Sequence, residues 1–243
     1  MTNTTIFILI FLLSVVGSFI QRVSGFGFGV FVMMFFPFIL PSFGASVTLS
    51  GMLSLTFSLI LVIKNFRNIC WRRVWLLILV NVVVSCIGIS FMSGLGNDML
   101  KKGLGLVLIL IALYSLLFDG KLHISPESKW VQAIIGALSG ITGGMFAMPG
   151  PPVVLYCIEA FHDKKEYIAS IQTVFLISNC FYLLFRIKAG FFTTDLIGLW
   201  AIGLIGVGLG IFVGAKLFNK ISGPMLRKIV YSMMLLSGVI AMV

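Results

Sequence analysis

The residues of this chain best placed for chemistry are glycines. Ser24-Gly25-Phe26-Gly27-Phe28-Gly29-Val30-Phe31 and Ser139-Gly140-Ile141-Thr142-Gly143-Gly144-Met145-Phe146 lie 115 positions apart and agree at four of eight positions. Pro37 and Pro152 each follow the leading serine by 13 residues. Glycine permits left-handed backbone and close approach of a ligand. Proline lacks the N–H donor, so a helix cannot run undisturbed through Pro149-Gly150-Pro151-Pro152. Both phrases sit in long apolar runs, where irregular backbone survives only if protein or water covers it. A helix resuming after Gly29, and another after Gly144, would turn free N–H groups and a positive dipole end toward its break. Two such ends aimed at one point suit a small oxyanion. A duplicated break of this kind is a sequence pointer to a transport site.

Few side chains near the breaks can add to this. Arg22 offers a guanidinium matched to an oxyanion, and equally an ordinary interfacial anchor. Gln21, Ser24 and Ser139 can donate hydrogen bonds, although the two serines can instead satisfy freed carbonyls. Tyr156, on the segment after the second break, either points into the site or packs. Gln172, Thr173 and Asn179 interrupt an apolar run and should face the bundle interior. Of seven acidic residues only Glu159 falls within an apolar run, and an interfacial end-of-helix position explains it best. No intramembrane carboxylate pair supports a cation pump. No His-Glu-x-x-His motif and no serine with a base partner supports an intramembrane enzyme.

These residues must be positioned by membrane helices. The chain has 243 residues, 60% hydrophobic and 10% charged, with mean hydropathy +1.17. Apolar runs approaching the about 17–25 residues of a spanning helix recur along it, the mark of a polytopic membrane protein. Met1–Thr5 carries no Lys or Arg, so the first run reads as a retained helix rather than a signal peptide. Cys70, Cys86, Cys157 and Cys180 are scattered packing residues, and His123 and His162 lie apart in loops; no metal or other cofactor is implied. The net charge of +10 comes from cations in short loops, a topological signal that implies no nucleic-acid partner.

The apolar runs are Thr5–Ile20, Phe28–Leu40, Gly44–Ile63, Val74–Met92 and Gly103–Phe118, then Trp130–Met148, Val153–Phe161, Tyr167–Phe185, Asp195–Ala215 and Pro224–Met242. The reading is two repeats of five segments, residues 1–118 and 130–243, joined by a polar linker over 119–129. In each repeat the second segment is short. Met99-Leu-Lys-Lys and Met225-Leu-Arg-Lys open the last segments, and Gly88-Ile89 echoes Gly210-Ile211. If both short segments cross, the halves are inverted, and 13 Lys and Arg fall on the linker's face against four, including Arg186, on the other. If both are re-entrant the split is nine to eight. Only crossing obeys the positive-inside rule, which makes the linker cytoplasmic and both termini external. Gly103 and Gly105, with Gly206, Gly208 and Gly210, read as close-packing positions.

Phe19-Ile20-Gln21-Arg22-Val23-Ser24-Gly25-Phe26-Gly27-Phe28-Gly29-Val30 resembles the opening motif of the sulfite exporter TauE/SafE family. Gly136 through Tyr156, with its Gly-Pro-Pro and Tyr, resembles the family's second motif. The resemblance spans essentially the whole chain. It implies an all-α permease, often an exporter, for sulfite, sulfonates or related organic anions, in the cell membrane, with a bacterial plasma membrane expected. Phe26 and Phe28 replace a denser glycine run and either narrow the site or favour an organic tail. The expected substrate site is Gln21, Arg22, Ser24, Gly25, Gly27, Gly29, Ser139, Gly140, Gly143, Gly144, Pro149, Gly150, Pro151 and Tyr156. Its partners are the small anion and the lipid bilayer, with a homo-oligomer left open. Alternating access is the expected mechanism, with an anion channel at the same paired breaks as the alternative.

Overall fold

In the computed structural model the described residues, 3–118, 125–217 and 223–242, are helical apart from short turns. The order is α1 (Asn3–Ser24), α2 (Phe28–Met33), α3 (Phe36–Ile39), α4 (Phe43–Asn65), α5 (Trp71–Ser93), α6 (Asn97–Phe118), α7 (Lys129–Phe146), α8 (Gly150–Ala160), α9 (Lys164–Lys188), α10 (Asp195–Leu217) and α11 (Gly223–Met242). Five of these, α1, α4, α5, α9 and α10, are long and apolar enough to cross a bilayer. The protein is an all-α polytopic membrane protein. The expected segments are all found, with the second divided into α2 and α3. Residues 119–124 of the expected linker lie outside the described residues.

Two seams of small residues set the packing. On α7, Gly136, Gly140 and Gly144 recur every fourth residue and meet the carbonyls of Leu77, Asn81 and Ser85 on α5. On α10, Gly206 and Gly210 meet the carbonyls of Phe11 and Val15, and Gly214 meets the Arg22 stem on α1. Without a Cβ the backbones approach closely, which in lipid is the main source of helix association. In both seams residue numbers rise together, so α5 runs parallel to α7 and α1 parallel to α10. By contrast α4 and α9 are antiparallel: Ser58 bonds Gln172, Ser54 bonds Asn179, and the Val47 carbonyl bonds Arg186. Gly105 and Gly238 join α6 to α11. A Cβ on Gly208 would meet nothing within 4 Å, so this glycine takes no part in a seam.

The two ends of the bundle are identified by their contacts. At one end Phe43 N–H donates to Asn97 Oδ1 at 3.0 Å, and Gly44 lies under Phe191, joining the starts of α4, α6 and α10. At the other, Cys70 N–H donates to Ser170 Oγ at 3.2 Å, and Arg73 donates to the Ala160 carbonyl. The α2–α3 segment and α8 therefore carry the chain back between ends. Arg186 corrects the loop-cation reading: it is 0% exposed, inside α9.

Candidate anion site between two helix breaks

The first break is built by Gly25 (φ +86°) and Gly27 (φ +110°), both in left-handed backbone that favours glycine. Helix α2 resumes at Phe28, two residues before the expected start after Gly29. Gln21 repairs the gap: its Oε1 accepts from Phe28 N–H at 3.2 Å. Gln21 Nε2 donates to Gln172 Oε1 at 3.3 Å, and Gln172 Nε2 donates to the Gly25 carbonyl at 3.1 Å. Ser58 Oγ, 3.0 Å from Gln172 Oε1, closes the network. Ser24 serves backbone, with its Oγ 2.8 Å from the Ile20 carbonyl and 2.6 Å from that of Phe26. Gly25 lies under the Tyr167 ring.

The second break falls later than its phrase suggests. Helix α7 continues through Gly140, Gly143 and Gly144 to Phe146, turns at Ala147 (φ +57°), and α8 begins at Gly150. Gly140 and Gly144 are seam residues, because α5 needs the space; Gly143 packs against Tyr182. The free N–H end thus belongs to Gly150, not to the residues after Gly144. Pro149, Pro151 and Pro152 have no N–H, so Gly150 is the single backbone donor of that helix start. Ser139 Oγ donates to the Pro149 carbonyl at 2.9 Å and accepts from Asn81 Nδ2 at 2.9 Å; Tyr182 donates to Asn81 Oδ1 at 2.8 Å.

The two breaks touch. A Cβ on Gly29 would overlap the Ala147 carbonyl, so glycine is required there. Between them lies a cavity of about 20 Å³, lined by Gln21, Gly27, Gly29, Ser54, Pro149 and Gly150 among others. That is room for about one water molecule. The rings of Phe26 and Phe175 cover Gly150.

Five of the fourteen expected site residues therefore line the cavity: Gln21, Gly27, Gly29, Pro149 and Gly150. Arg22 lies outside it, with its stem against Gly214 on α10. Pro151 belongs to the first turn of α8. Tyr156 points away, donating to the Arg73 carbonyl at 2.7 Å with the Pro126 carbonyl 3.2 Å off. Ser54, Phe175 and Ala147 line the cavity without belonging to the expected set. The Arg186 guanidinium donates to the carbonyls of Val47 (2.8 Å), Gly143 (2.9 Å) and Gly144 (3.0 Å), and its Nε has no partner among the described residues. It holds the C-terminal turn of α7, where carbonyls accumulate negative charge, against α4. Among the described residues no three His, Cys, Asp or Glu side chains converge to hold a metal.

A family model described as Sulfite exporter TauE/SafE matches residues 9–241. No curated protein and no solved structure matches the chain. The match takes in both breaks, both glycine seams and all but the ends of the bundle, and this multi-pass membrane protein belongs to the sulfite exporter TauE/SafE family.

Proposed function

We infer that the protein is a permease for a small sulfur-containing or organic oxyanion, such as sulfite or a sulfonate, working by alternating access in the cell membrane. The observation that carries this reading is the meeting of two helix breaks, one from each half of the chain, around one polar cavity. Gln21, the Gly29 and Gly150 backbone and Ser54 surround the space where an oxyanion would sit. At about 20 Å³ the space admits a water but not a sulfur oxyanion. The halves must part to load it, and Gly25 and Gly27 are the natural hinges.

The pairing pattern supports two inverted repeats. Matching elements by order pairs α1 with α7, α4 with α9, α5 with α10 and α6 with α11. Exchanging the halves then turns the α1–α10 seam into the α7–α5 seam and leaves the α4–α9 and α6–α11 pairs unchanged. The parallel seams and short turns give α1 and α7 opposite directions. Inverted repeats meeting at the membrane midplane are a common plan for alternating access.

Proteoliposomes loaded with unlabelled sulfite or a small sulfonate should accumulate the radiolabelled anion by counterflow, and Gln21→Leu should reduce that flux. Flux equal to that of empty liposomes would refute transport of these anions. Saturable exchange lost in favour of unitary currents would instead identify a channel through the same breaks.

A further inference from the structure

Away from the breaks, the start of α5 and the start of α7 form a second, larger concavity of about 460 Å³. Its rim carries Arg72, Arg73 and Lys129 against a single acid, Glu127. Arg73 is engaged with the Ala160 carbonyl and the Phe161 ring. Arg72 and Lys129 are exposed and have no partner among the described residues. Because α5 and α7 run parallel, their positive N-terminal ends lie side by side here, and neither has a side-chain cap. The pocket therefore offers concentrated positive charge to an anion.

Two further observations say what kind of anion. Trp75 lines this concavity, and Trp71 and Trp130 neighbour its Arg72 and Lys129 in sequence at the starts of α5 and α7; these three of the chain's four tryptophans are 51%, 48% and 81% exposed. Exposed tryptophans at one level of a membrane protein mark the headgroup region. Trp75 is also shared with an apolar groove of about 300 Å³, which runs down α5 past Ile78 and Val82 and is bounded on α9 by Ile177 and Phe181. A basic pocket at headgroup height, continuous with an apolar groove below it, fits a molecule with an anionic head and a hydrocarbon tail.

We propose that this concavity is a binding site for an anionic phospholipid, its phosphate held by Arg72, Arg73 and Lys129 and one acyl chain laid along the Trp75–Phe181 groove. Basic pockets between membrane helices bind such headgroups in this way. The inference depends on the membrane setting alone and is independent of what the protein transports.

The test uses the full-length protein in neutral detergent, with thermal unfolding followed as lipid is added. Phosphatidylglycerol should raise the midpoint and phosphatidylcholine should not, because a ligand of the folded state stabilises it. Each surface cation contributes about fivefold in affinity, so the double variant Arg72→Gln, Lys129→Gln should need about thirtyfold more phosphatidylglycerol for the same shift. Both residues are exposed, so its midpoint without lipid should match wild type. The double variant Lys64→Gln, Arg67→Gln, at the same end of the bundle but outside the pocket, should respond normally. Equal shifts with the two lipids, or equal losses in the two double variants, would overturn the proposal. So would a full shift from glycerophosphoglycerol without acyl chains, which would make the pocket a site for a soluble phosphate.

Discussion

Arg186 shows how a residue's role is decided by the face it occupies. By sequence it stands two positions before Lys188 and four before Gly190, close enough to a turn to pass for an interfacial anchor. The signal that places it inside is the helical stripe of Gln172, Asn179, Tyr182 and Arg186, spaced seven, three and four apart on one face of α9. Gln172 and Asn179 were legible as interior polar residues; Tyr182 and Arg186 extend the same stripe. A fully buried cation is held here by three carbonyls, two from the negative end of α7. Arg186→Gln would leave these carbonyls without their charged donor and should lower unfolding stability by about 2–4 kcal/mol. Arg186→Lys keeps the charge but cannot span α4 and α7 together, and should fall between the two. Thermal unfolding of purified protein checks both. A glutamine variant as stable as wild type would mean that the clamp contributes nothing to the closed bundle.

At the scale of elements, apolar run lengths were enough to find the helices, because a spanning helix in lipid has no alternative way to satisfy its backbone. The breaks were harder. Glycine-rich phrases have two uses in membranes, and sequence spacing alone does not separate them. Gly25 and Gly27 bend the chain, whereas Gly140 and Gly144, the apparent echoes of Gly25 and Gly29, are seam residues in an unbroken helix. The breaks themselves are 122 residues apart, as Gly88-Ile89 and Gly210-Ile211 are, rather than 115. The regular four-residue spacing of Gly136, Gly140 and Gly144 was the available clue to packing. Gly140→Leu and Gly210→Leu should each force apart a parallel helix pair, since a Cβ on Gly140 would already lie 2.7 Å from the Asn81 carbonyl. Both should lower the unfolding midpoint clearly, while Gly208→Leu, with nothing within 4 Å, should leave it nearly unchanged. Equal effects at Gly208 and Gly210 would show that the seams do not hold the bundle.

For the whole molecule, charge is the observation from which the orientation of the bundle in the membrane can be proposed. Among the described residues, Lys64, Arg67, Arg72, Arg73, Lys129, Lys164 and Lys165 lie at the end that holds the Cys70–Ser170 contact. Lys101, Lys102 and Lys188 lie at the opposite end, and moving Arg186 into the interior removes the fourth cation counted there. The asymmetry is therefore sharper than the sequence alone suggested, and by the positive-inside rule we propose that the cation-rich end faces the cytoplasm. In that orientation the proposed lipid pocket would face the leaflet where anionic lipids exert their surface potential. Cysteines introduced into a cysteine-free variant test the assignment. Gly96→Cys, in the exposed turn between α5 and α6, should react with a membrane-impermeant maleimide added to intact cells. Lys165→Cys, exposed at the start of α9, should react only after the membrane is opened. The reverse pattern would invert the protein in the membrane, and labelling of both in intact cells would break the link between helix direction and face on which the inverted-repeat reading depends.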